Sequence, residues 1–158
     1  MKRITRSNWL VLPLILALFF VACKGELNRV VERTHDNGQP QWVRYYDGDP
    51  SAETFVKMEF YYPNGQIKSR TFFENNKKHG VAKSWHKNGA LMSKIKYVKG
   101  KKDGQYFVNY KNGKPKYKGL YDMNKQVGDW VRFSKTGDTI AVEKYNKGNV
   151  QVIQYNKK

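Results

Sequence analysis

Seven glycines of this chain fall on one period: Gly65, Gly89, Gly113 and Gly137 are each 24 residues apart, and Gly80, Gly104 and Gly128 repeat at the same interval. Asn64, Asn88 and Asn112 precede the first set and make three Asn-Gly pairs, with Thr136 in that place in "KTG". Phe73, Tyr97, Tyr121 and Tyr145 form an aromatic column at the same spacing. Three columns on one period identify an internal repeat, and a unit this short must stack on its neighbours to bury any apolar side. "DNGQPQWVRYYDGD" is an earlier copy, with Asn37 and Gly38 at the turn and Tyr46 in the aromatic column. It sits 27 residues ahead of the next unit, so "GDPSAE" is expected to hold a loop insertion. "NVQVIQYNKK" begins another half unit and is expected to close the array as a terminal strand.

Each unit reads as a β-hairpin. Asn-Gly between alternating runs, as between "VAKSWH" and "ALMSKIKYV", predicts a two-residue type I′ turn in which both residues take positive φ. A second turn, around "NNKKHG", "KGKKDG" and "NKQVG", returns the chain for the next strand. The expected fold is therefore all-β: an elongated single antiparallel meander sheet of repeated hairpins. About ten strands at about 4.8 Å each would extend roughly 45 to 50 Å. Only "ELNRVVERTH" carries a helical period in the segment after the N-terminus, as a short helix or a tether.

Residues equidistant from an Asn-Gly turn lie opposite one another and share a face. One face then collects Phe60, Ile95, Tyr97, Tyr106, Tyr117, Tyr121, Trp130 and Tyr145, with Gly119 opposite Tyr106, and is expected to be the main hydrophobic surface. The other collects Arg70, Lys94 and Lys118 in one column, with Lys68, Lys96 and Lys116 nearby. These six are the candidate face for an anionic ligand, although exposed lysines also guard a sheet against unwanted edge pairing. Glu59 is expected opposite Arg70, and Asp129 opposite Lys144. Toward the C-terminus the same face turns apolar through Phe107, Val131, Phe133, Ile140 and Val142.

The N-terminus reads differently. Lys2, Arg3 and Arg6 precede the apolar run "WLVLPLILALFFVA", and Cys23 follows at once. The run is short for a membrane span and has the layout of a secretory signal. The expected organisation is a signal peptide over 1–22, a tether over 23–36 and a repeat domain over 37–158. Cys23 is the only cysteine, so no intramolecular disulfide can form. The formal net charge is +17, and loss of residues 1–22 removes three basic residues and no acids, leaving +14. Such a charge favours anionic partners: phospholipid headgroups, acidic polysaccharide or nucleic acid, the last disfavoured by export.

Chemistry for catalysis is sparse. His35, His79 and His86 lack the spacing of a metal pair, the acids do not recur as a general acid and base, and no nucleophile motif or phosphate-cradling loop is present. No catalytic residue, metal or cofactor is expected, and binding is the expected mode of action.

Two resemblances sharpen this. "FFVAC" resembles the lipobox of bacterial lipoproteins, which implies lipid on Cys23 and anchoring to a membrane, with about 0.8 kcal/mol for each buried methylene. Lys24 after the cysteine fits outer-membrane delivery within a bacterial envelope. The unit "YPNGQIKSRTFFENNKKHGVAKSWHKNGALMSKIKYVKGKKDGQY" resembles the MORN repeat in its bacterial variant form. That resemblance implies an elongated hairpin sheet that binds or scaffolds a protein or an anionic polymer or lipid. Related chains of the YwqK type imply an alternative, an antitoxin or immunity role against a toxic partner. The pattern is broken at Val56, where a Gly is expected, and at Asn109, where neighbouring units carry an aromatic.

Overall fold

The computed structural model describes residues 26–51 and 54–155; the expected signal peptide and Cys23 lie outside them. The described residues form β1 (Asn28–Thr34), β2 (Pro40–Tyr46), β3 (Lys57–Tyr61), β4 (Ile67–Glu74), β5 (Lys77–Lys78), β6 (Gly80–Trp85), β7 (Leu91–Val98), β8 (Lys101–Lys102), β9 (Gly104–Asn109), β10 (Pro115–Asp122), β11 (Lys125–Phe133), β12 (Thr139–Asn146) and β13 (Asn149–Tyr155). Eleven of these follow one another in a single antiparallel sheet in chain order, while the two-residue strands β5 and β8 pair with β4 and β7 beside that path. The fold is the meander of hairpins expected from the period, one strand longer than expected. The additional strand is β1, which lies in the segment read as a helix or tether and pairs with β2 over Asn28 to Thr34. Its Val30, Val31 and charged neighbours alternate across a free edge, where a strand completes the ladder of β2 and a helix would leave it open.

The turns are assigned the other way round from the sequence expectation. At Asn64-Gly65 the Gly65 N–H donates to Tyr62 O at 2.9 Å and the Tyr62 N–H to Gln66 O at 2.8 Å, closing a three-residue loop. Only the glycine of each Asn-Gly pair has positive φ, as at Gly65 (78°) and Gly89 (83°). These are type I turns followed by a left-handed residue that makes a bulge. The type I′ turns sit at the opposite edge, where Asn75-Asn76, Lys99-Gly100, Met123-Asn124 and Lys147-Gly148 have both residues at positive φ. The bulge compensates for the extra loop residue, so the expected register survives: Glu59 pairs with Arg70, Gly119 with Tyr106 and Asp129 with Lys144.

Asn37, Asn88 and Asn112 of the turn column have a second use, whereas the Asn64 Nδ2 donates to Gln66 Oε1 in its own loop. The Asn88 Oδ1 accepts from the Ala90 N–H at 3.2 Å, and its Nδ2 donates to Lys111 O in the next turn at 3.0 Å. Asn112 does the same with Lys114 N and Lys135 O, and Asn37 with Gln39 N and Pro63 O. One strand further in, Tyr62 and Tyr110 donate to Trp85 O and Phe133 O, and His35 and His86 bond Tyr61 O and Asn109 O. At the other edge Gly100, Asn124 and Gly148 donate their N–H groups to Lys78 O, Lys102 O and Gln126 O. Successive units are thus tied along both rims as well as through the ladders.

The second glycine set explains the aromatic column. Gly80, Gly104 and Gly128 are the register partners of Tyr97, Tyr121 and Tyr145. Phe73 has Val56 in that place and packs against Phe55, with ring centroids 4.7 Å apart. The core of the C-terminal half is Trp130, 2% exposed, ringed by Tyr106, Tyr117, Tyr121 and Tyr145 at centroid distances of 4.9 to 6.1 Å. Its indole lies flat on the backbone of Gly119 and donates Nε1–H to Leu120 O at 3.2 Å.

A Cβ at position 119 would stand 2.2 Å from Trp130 Cδ2, and the ring is too enclosed to give way. Gly119→Ala is expected to destabilise the sheet by about 1 to 3 kcal/mol through overpacking alone. Thermal unfolding followed by circular dichroism checks this; an unchanged midpoint with unchanged tryptophan fluorescence would contradict it.

Candidate binding faces

Register partners across an antiparallel sheet point to the same side. Val43, Glu59, Arg70, Lys83, Lys94, Phe107, Lys118, Val131 and Val142 are partners in succession, so they form one row running straight across the sheet from β2 to β12. Arg70, Lys94 and Lys118, expected as a column, are members of this row. Lys83 stands between the first two and was not read from the sequence; the alternation of "VAKSW" is the signal that places it on this face. Lys96, partnered by Val81, lies one step along its strand on the same side. Lys68 and Lys116 occupy the register shifts beside the Asn-Gly turns and lean over the rings of Tyr62 and Tyr110, at 5.8 and 5.7 Å.

The row's cations rest on aromatic rings. Arg70 lies 5.9 Å from the Trp85 ring, Lys94 is 6.0 Å from Phe107 and Lys118 is 5.7 Å from Phe133. Lys83, Lys94, Lys96 and Lys118 are exposed, and none of them forms an ion pair among the described residues. Direct cross-strand juxtaposition of like charges, as between Lys83 and Lys94, is destabilising. Ring contacts offset part of that cost, each contributing about 0.5 to 1 kcal/mol at exposed sites.

Arg70 differs from the lysines because it is committed. Glu59 is 2% exposed, and its Oε1 accepts from Arg70 Nε at 2.6 Å while Lys57 Nζ stands 3.6 Å away. Its Oε2 accepts from the hydroxyls of Tyr45, at 2.6 Å, and Tyr61. Burial opposes ionisation of Glu59, but the bonds from Tyr45, Tyr61 and Arg70, with the charge of Lys57, outweigh it and hold the carboxyl below its ordinary value. Tyr61 is pushed upward by burial and then by Glu59. The Glu59–Arg70 pair was legible from register; Tyr61 stands two residues along β3 from Glu59 on the same face, while Tyr45 arrives from β2.

The aromatic face repeats the device. Glu143 accepts from Tyr117 at 3.1 Å and Tyr145 at 2.9 Å. Burial, followed by this carboxylate, pushes the Tyr117 hydroxyl up to about 12. Of the aromatic column, Tyr121 and Tyr145 meet on Trp130, Tyr97 lies under Lys78 at 5.3 Å, and Phe73 belongs to a separate cluster with Phe55 and Tyr46. The turn glycines Gly65, Gly89, Gly113 and Gly137 line one rim and bear on neither face. His79 stands 3.2 Å from Glu74, apart from His35 and His86, and no group of three metal-ligating side chains occurs among the described residues.

Three consecutive units match the MORN repeat variant. The matched stretches are 56–75, 78–99 and 102–123, each containing one Asn-Gly turn, at Gly65, Gly89 or Gly113, and its flanking strands. MORN repeats are generally binding or scaffold modules. No curated protein matches the chain. Among solved structures, the crystal structure of TarM aligns over 63% of this chain at 14% identity with a TM-score of 0.33. The chain spans 20% of TarM's length, and so loose a likeness carries no functional argument.

Because Glu59 has a folded-state value below the unfolded one, its contribution is complete above about pH 4.3 and is lost as pH falls through the folded value. Glu59→Gln removes the charge that Arg70 and Lys57 face, and is expected to cost about 1 to 3 kcal/mol at pH 7. The gap to the unsubstituted protein should close below pH 4.3, tracked by denaturant midpoints across pH; a gap independent of pH would refute the assignment.

Proposed function

We propose that this protein is a lipid-anchored binding or scaffold module of a bacterial cell envelope, whose hairpin sheet holds a protein or an anionic component of that envelope. The observation that carries the reading is the set of exposed lysines in the transverse row, Lys83, Lys94 and Lys118, none of which forms an ion pair among the described residues. Such a row is electrostatically costly when free and is relieved by an anion bound along it. Three matched MORN-type units support a binding role over catalysis. The anchor rests on "FFVAC" alone, with Cys23 as the lipid-bearing residue and the outer membrane as its destination.

A labelled fatty acid fed to producing cells should appear on the protein and be lost in Cys23→Ala, which should leave the membrane fraction. Capture from detergent-solubilised membranes should recover a partner with the unsubstituted protein. Equal labelling of both forms would remove the anchor, and failure to retain any envelope component would remove the binding role.

A further inference from the structure

Within the face assigned above to an anionic component, the shape of the charge distribution narrows the ligand. Arg70, Lys83, Lys94, Phe107 and Lys118 stand on five adjacent strands, β4, β6, β7, β9 and β10, so these cations form a line perpendicular to the strands, with Lys96 beside Lys94 on the same side. At about 4.8 Å between strands this line is roughly 19 Å long. Both ends are closed to anions: the next residue in the row is the buried acid Glu59 on one side and Val131 on the other.

We propose that this row is a site for a linear acidic polysaccharide of the polyuronate type, lying across the strands with its carboxylates on the lysines. An extended 1,4-linked hexose advances by about one strand spacing and turns over at each sugar, so carboxylates on one side recur at about two strand spacings, the separation of Lys94 and Lys118 on either side of Phe107. A polyphosphate repeats its charge at a shorter interval and falls out of step. Phe107 interrupts the cations at mid-row, half-buried, and offers a ring on which the apolar face of a pyranose packs, a contact of no use to a phosphate chain. Arg70 is held by Glu59, which leaves Lys83, Lys94 and Lys118 as the residues free to bind.

The proposal rests on the cationic face being the binding face, and it is tested with the full-length protein in detergent by calorimetric titration of oligogalacturonates at low salt. Affinity is expected to rise with chain length up to about four sugars and then to level, since the free lysines span four strands. Lys83→Gln/Lys94→Gln/Lys118→Gln should weaken binding about tenfold or more, the product of three exposed charge contacts. Phe107→Leu should weaken oligogalacturonate binding severalfold and leave polyphosphate binding unchanged. Lys77→Gln/Lys101→Gln/Lys125→Gln, which removes the same charge from the type I′ rim, should stay within about twofold of the unsubstituted protein. All three lysines of the row are exposed, so circular dichroism should show the same sheet in every variant.

Monomeric galacturonate binding as tightly as the longer oligomers, equal weakening by the rim variant, or tighter binding to polyphosphate or to phosphatidylglycerol vesicles would each overturn the polysaccharide assignment. Those outcomes leave the capture of a membrane partner intact, since that needs no sugar; loss of capture with oligogalacturonate binding retained would instead overturn the envelope role.

Discussion

Every feature of this molecule depends on the chain reversing direction at a fixed interval and on each reversal being hydrogen-bonded to the next. A single open sheet has no second layer to bury its ladders, so its order must come from within the layer. The Asn column supplies this on one rim, where Asn37, Asn88 and Asn112 each cap their own loop and donate to the loop ahead. On the other rim the backbone N–H groups of Gly100, Asn124 and Gly148 reach back to the preceding unit. Stacked reversals hold the strands in register, and register decides which side chains meet on each face.

Two carboxylates, Glu59 buried and Glu143 half-buried, show how such a sheet tolerates charge taken out of water. Glu59 on the cationic face and Glu143 on the aromatic face are each clasped by a pair of tyrosine hydroxyls. Glu59 adds Arg70, which completes its hydrogen bonding and keeps it ionised in a place where an unpaired acid would take up a proton. The same arrangement commits the partly exposed Arg70 to Glu59, so the cations that remain free begin at Lys83. Burial also changes sides along the array: Val43 and Glu59 are enclosed on one face near the N-terminus, Ile95 and Trp130 on the other further along. A twisted ribbon accommodates that change because no partner layer forces one face to be inner throughout.

The cation row has a structural cost and a structural remedy in the same residues. Lysines placed opposite one another repel, and the aromatic rings of Phe107 and Phe133 beneath Lys94 and Lys118 offset part of the repulsion. Packing on a ring restricts the long side chains without neutralising them, which preorganises the charge for a bound anion. Protection against edge pairing does not account for the row, since it runs through interior strands that have no free edge.

Periodicity alone specified the hairpin sheet, its antiparallel meander and the pairs Glu59 with Arg70, Gly119 with Tyr106 and Asp129 with Lys144, because side-chain alternation and the spacing of reversals are local properties of the chain. The turn types, the strand over Asn28 to Thr34, the place of Lys83 in the row and the approach of Tyr45 to Glu59 were decided only in three dimensions. An Asn-Gly pair is compatible with two loop lengths, and every such pair here closes the three-residue form, as Tyr62 with Gln66 and His86 with Ala90 show. Tyr45 lies on β2, well before Glu59 in the chain, and only the pairing of β2 with β3 brings its hydroxyl to that carboxylate.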